Sequence, residues 1–179
     1  MVRLSACACA LLCAVALCAG SALMPAQAQQ PAAPAAAPPP QPPYGAPITL
    51  EQAKRVMAAA ELEAAKNSWI VAITILDSGG NMVMFHKADN AQLSAITTSV
   101  GKARTALEFK LPSKALDDAI AAGGAGMRLL ALKDITPLQG GNLILVDGKI
   151  AGAIGVSGAL SAQDDQIAKA GTDVLAKGM

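Results

Sequence analysis

From Ile48 to the C-terminus, apolar residues recur first at helical and then at strand spacing, and turn residues mark each change of period. Thr49 can cap a free amide and Gln52 can reach back to it. Leu50, Ala53, Val56, Met57, Ala60 and Ala64 then share one face, which predicts a helix to about Asn67. Trp69 to Leu76 is an unbroken apolar and β-branched run. Asp77-Ser78-Gly79-Gly80 reads as a turn and Asn81 to Lys87 as the returning strand of a hairpin. Both side-chain parities of these strands are largely apolar, so the sheet is expected to be covered on both faces. Leu93 to Phe109 predicts a second helix. Leu111-Pro112-Ser113 ends it and caps a short third helix to about Ala122, which Gly123-Gly124-Ala125-Gly126 breaks. The apolar segment Met127 to Leu132 reads as an optional extra strand. Leu143 to Val146 and Ile150 to Ser157 flank Asp147-Gly148, a pair suited to the φ > 0 turn of a tight hairpin. Ser161 and Asp164 open a last helix to about Ala176. The order predicts an α/β (α+β) domain with a mainly antiparallel sheet of four or five strands and helices on both faces.

A different kind of sequence precedes this domain. Arg3 supplies a minimal positive region, Leu4 to Leu17 is apolar, and Ala26-Gln27-Ala28 has the small-x-small pattern of a cleavage site. Residues 1–28 therefore read as a secretory signal peptide, and the mature protein is expected to be periplasmic or secreted. The apolar run is shorter than the ~20 residues a membrane span needs. Nine of the eleven prolines lie from Pro25 to Pro47, among Ala and Gln, so residues 29–47 read as an extended linker unable to bury a core. The folded domain is then 48–179, a size that buries about two-thirds of its unfolded surface.

Charge and composition narrow the function. Lys and Arg number 14 against 13 Asp and Glu, and loss of Arg3 with the leader leaves 13 of each. Aromatic residues are 2% of the chain. Neither a basic field nor a row of stacking rings is available, which excludes nucleic acid as a partner. Cys7, Cys9, Cys13 and Cys18 all leave with the leader, so the mature protein has no disulfide, no thiolate nucleophile and no Cys-ligated metal. Gly152-x-x-Gly155-x-x-Gly158 lacks the Gly-x-Gly start of a dinucleotide-binding turn. Ser157, in Gly-Val-Ser-Gly-Ala, misses the Gly-x-Ser-x-Gly nucleophile elbow by one position.

Several motifs together resemble the GlcG/HbpS haem-binding (haem-degrading) family. They are Leu76-Asp77-Ser78-Gly79-Gly80-Asn81, Gly101-Lys102-Ala103-Arg104-Thr105-Ala106, Gly140-Gly141, Asp147-Gly148 and, most specifically, Gly152-Ala153-Ile154-Gly155-Val156-Ser157-Gly158 with Gln163-Asp164. The resemblance covers nearly all of Ile48 to Met179. One departure is Leu143, where the family often has Pro two residues after the Gly-Gly. The resemblance implies a profilin-like three-layer α/β/α sandwich that forms a homo-oligomer, binds haem or a related tetrapyrrole, and serves haem sequestration or degradation. It also leaves two other readings open: an accessory interaction module for a membrane sensor or transport partner, and an enzyme or accessory acting on a small hydroxy acid such as glycolate.

Within that framework the candidate ligand residues can be named. His86 is the only imidazole and the candidate iron ligand, with Thr105 as an oxygen alternative. Binding would be non-covalent, since no Cys survives to form a thioether. Lys102 or Arg104 would meet the propionates; two residues apart on a helix, they point about 200° apart and form no clamp unaided. Glu108, four residues on, is an expected ion-pair partner of Arg104. Ser157 and Gly158 would let a flat ring or a subunit approach closely, and the start of the helix at Ser161 offers amides to an anion. Met82, Met84 and His86 form a row of soft ligands on one strand face, more simply read as core filling.

Overall fold

The computed structural model describes residues 40–176, and the predicted leader and most of the linker lie outside them. Four helices, α1 (Leu50–Lys66), α2 (Leu93–Phe109), α3 (Ser113–Ala121) and α4 (Ser161–Ala176), accompany four strands, β1 (Ala72–Asp77), β2 (Met82–Lys87), β3 (Gly141–Val146) and β4 (Lys149–Ser157). The sheet runs in the order β2-β1-β4-β3 and every neighbouring pair is antiparallel. Helices α1 and α4 cover one face and α2 the other, which is the expected three-layer sandwich.

Local chemistry explains most of the element ends. Thr49 Oγ1 accepts from the Gln52 amide and Gln52 Oε1 accepts from the Thr49 amide, the reciprocal cap that starts α1. Ser68 has φ 56°, and the amide of Trp69 still bonds back to Ala64, so β1 begins at Ala72 rather than Trp69. Asp147 (φ 50°) and Gly148 (φ 71°) make the tight turn of the second hairpin as expected. Ser113 is the first residue of α3 rather than its cap. Its hydroxyl donates to Leu138 O at 2.6 Å and accepts from the Gly141 amide at 2.8 Å, tying α3 to the start of β3. The extra strand is corrected: Gly124–Ala131 is a 3-10 helix with no buried residue. A run that short carries too few repeats for strand and helix to be told apart by period.

The end of the Pro-rich segment is extended, and it is docked. Beyond Gly152 the β1 side of β4 has no strand partner, because β1 ends at Asp77. Residues 43–48 take that place: the Ile150 amide donates to Pro43 O, and the Gly45 and Ile48 amides donate to Ile150 O and Ala151 O, each within 2.9 Å. The Tyr44 hydroxyl adds a bond to Leu107 O at 2.9 Å.

The layers meet because β4 is nearly free of bulk where α2 crosses it. A Cβ on Gly155 would lie 2.0 Å from Ser99 O and 2.6 Å from Ala103 N, both backbone atoms of α2. Gly155→Ala is therefore expected to lower stability by about 1–3 kcal/mol, the usual cost of overpacking a core. An unchanged urea midpoint would contradict this close approach.

A buried polar knot joins β3 to α4. Asp165 accepts from Asn142 Nδ2 at 2.8 Å and Gln139 Nε2 at 3.1 Å, and pairs with Lys169 at 2.6 Å. Burial alone would raise the Asp165 carboxyl; Lys169, Asn142 and Gln139 together outweigh it and hold the group below the ordinary carboxylate value. A depressed carboxylate stabilises the fold above its unfolded pKa of about 3.9, and that contribution is lost as pH falls through its folded value. The stability advantage of the native chain over Asp165→Asn should accordingly shrink below about pH 4. Denaturation midpoints measured across that range check it, and a pH-independent difference would refute it.

Candidate functional site

An apolar hollow lies between the C-terminal half of α1 and the end of β2. It is a cleft of about 440 Å³ walled by Ala64, Ala65, Trp69, Val71, Ile73, Phe85 and Ala88, with Glu61, His86 and Lys87 as its polar groups. The volume falls in the range of about 300–1,000 Å³ usual for small-molecule sites. The two helix alanines leave the room, while Ile73 opposite His86 in the β1–β2 register fixes the imidazole on the α1 side of the sheet. There His86 Nδ1 lies 2.6 Å from Glu61 Oε1, with both side chains about half exposed. A neutral His86 donating from Nδ1 leaves its Nε2 lone pair available. Met84, on the same strand, packs against the core between the sheet and α1/α4, and among the described residues no group of three His, Cys, Asp or Glu could hold a metal ion.

The other residues singled out from the sequence do not gather around His86. Lys102 is sealed in the interior, where its ammonium donates to Asp164 Oδ2 at 2.7 Å and to Val156 O at 3.0 Å; both side chains of the pair are 2% exposed. Contrary to expectation, a cation so enclosed and fully bonded is not open to a propionate. Burial pushes the Asp164 carboxyl above its usual range, opposed by Lys102 and the Ala159 amide. Thr105 is also buried, and its hydroxyl accepts from the Thr136 amide at 2.7 Å, so it is not free to ligate iron. Arg104 lies on a separate hollow of about 290 Å³ with Tyr44, Ser78, Gly79, Gly80, Leu107 and Glu108. The expected Arg104–Glu108 bridge is not among the ion pairs of the described residues.

Ser157 ends β4 opposite Ala72 and is buried. Gly158, at φ 136°, lies so close to the backbone of Ile70 and Val71 that a Cβ would collide with both. It lines a shallow hollow that shares Trp69 with the cleft. The amides ahead of α4 do not wait for an outside anion: Ala159 N donates to Asp164 Oδ1 and Leu160 N to Gln163 Oε1.

Residues 48–173 match the family described as haem degrading protein HbpS-like. The chain belongs to this family. Protein GlcG of Escherichia coli (strain K12) is 38% identical over 110 residues, which is 62% of this chain and 81% of GlcG. A crystal structure of a double mutant of Streptomyces reticuli HbpS aligns at TM-score 0.67 and 30% identity, over 80% of this chain and 97% of that one. The crystal structure of a PduOC:haem complex has the same fold at TM-score 0.66 and 24% identity, covering 72% of this chain and 94% of that one.

Sequence reasoning named only His86 of this cleft. Glu61, Trp69, Phe85 and Lys87 were not singled out. The available signals were the lone Trp and the adjacent Ala64-Ala65, and neither shows which stretch of α1 lies over which strand.

Proposed function

We propose that this HbpS-like protein binds haem, or a closely related tetrapyrrole, non-covalently in the cleft between α1 and β2, with His86 as the protein ligand to iron. The observation that carries this reading is an imidazole with its Nδ1 already held by a carboxylate, at the mouth of an apolar cleft lined by Trp69. An iron-ligating His ordinarily has its second ring nitrogen held by such a partner. Apolar walls that include Trp69 suit a porphyrin face, and Lys87 on the rim offers a propionate an ammonium whose present bond, to Ala88 O, is exposed and 3.2 Å long. The donor set therefore fits haem, which would supply the iron chemistry once bound. The family description and the likeness to HbpS support the same ligand.

Sequestration outside the cytoplasm fits the leader pattern of residues 1–28, which would deliver the chain to the periplasm or beyond. Self-association is part of the same reading: Ile70, Leu93 and Leu160 are exposed, Leu93 at 83%, and would be covered by a second copy. Titration with haemin tests the binding claim. A saturable Soret shift supports it, and a linear response like that of an unrelated chain of similar size overturns it.

A further inference from the structure

We propose that Glu61 is a positioning residue for bound haem: through its bond to His86 Nδ1 it fixes which imidazole nitrogen meets the iron and makes that nitrogen a stronger donor. The inference rests on the haem reading above and adds a residue on a different element. Glu61 sits on α1 directly after Ala60, which is fully buried in the core, so the backbone carrying the carboxylate is anchored by packing. His86 is anchored separately, paired with Ile73 in the β1–β2 ladder. Two side chains from different layers thus meet at 2.6 Å although 25 residues separate them in sequence.

An ordinary surface ion pair would contribute little, because both groups are half exposed and screened. A hydrogen bond from a ligand imidazole to a carboxylate has a different consequence. It holds the proton on Nδ1, presents Nε2 to the metal, and raises the electron density that Nε2 donates. Stronger donation favours ferric over ferrous iron and lowers the reduction potential of the haem.

The test uses the full chain, its Glu61→Gln and Glu61→Ala variants, and haemin. Because His86 is the only histidine, nitrogen NMR of the haem-free protein reports its tautomer without ambiguity. At a pH where the imidazole is neutral, the native chain should carry the Nδ1 proton, and Glu61→Ala should revert toward the Nε2–H form that free imidazole side chains prefer. In the haem-loaded proteins, Glu61→Ala should bind haemin about 10–100-fold more weakly, the usual effect of removing such a partner. Its ferrous iron–histidine stretch should fall and its reduction potential rise. Glu61→Gln keeps an acceptor oxygen without the charge, so it should recover most of the affinity while its stretch and potential still move in the same directions. Loss of affinity alone, with stretch and potential unmoved in both variants, overturns the proposal and leaves the haem reading standing. A native chain with its proton on Nε2 overturns it too. A native chain that takes up no haemin fails the haem reading and, with it, the role of Glu61 toward iron.

Discussion

Replacing Lys102 with alanine should lower the stability of the fold by about 3–5 kcal/mol, because it leaves the Asp164 carboxylate buried without its counter-charge. The pair joins the middle of α2 to the first turn of α4 across the end of β4, and the ammonium also satisfies Val156 O. A domain of this size has only about 5–15 kcal/mol in total, so the variant is expected to be marginal at 37 °C. The direction of the Asp164 shift agrees with this: burial already disfavours its charged form, and Lys102 is what offsets that cost. Exchanging both partners together, Lys102→Met with Asp164→Leu, should recover part of the loss, since an apolar pair removes the unpaired buried charge but leaves Val156 O and the Ala159 amide without their present partners. Chemical denaturation of the two single variants and the double variant gives the coupling directly. A loss under about 1 kcal/mol for Lys102→Ala would contradict the enclosed pair and return Lys102 to the set of available ligand residues.

His86→Ala should weaken haem binding by at least about 100-fold, beyond the 10–100-fold that changes to a ligand's hydrogen-bond partner typically cost. The variant removes the one imidazole of the chain and leaves the apolar walls in place. Residual binding should therefore be weak and driven by burial of the ring faces, with a Soret band displaced toward that of unligated haem. Because the side chain is half exposed, the substitution should leave the denaturation midpoint nearly unchanged. That separates loss of a ligand from loss of the fold.

Much of the fold was legible because its signals are local. Thr49 with Gln52, and Asp147 with Gly148, each place an element end through contacts within a few residues. The site was less legible because its contacts are distant in sequence. Nothing near Lys102 announces that Asp164, 62 residues on, will meet it in the interior, so a residue that reads as a surface cation is a core one. The GlcG/HbpS resemblance rested on motifs such as Gly152-x-x-Gly155-x-x-Gly158, and the structure gives these a packing role: Gly155 admits α2 and Gly158 admits the Ile70–Val71 backbone. His86 stood out as the lone imidazole, but its partner Glu61 depends on how α1 lies over β2, which no local pattern encodes.

The central claim is that the cleft between α1 and β2 holds haem through His86. The measurement that meets it most directly is a haemin titration of the full chain beside His86→Ala, followed by Soret absorbance. The account predicts a sharp, saturable band for the native chain at one haem per cleft and a weak, displaced response for the variant. Identical spectra and affinities for the two proteins would contradict it and remove His86 from the site.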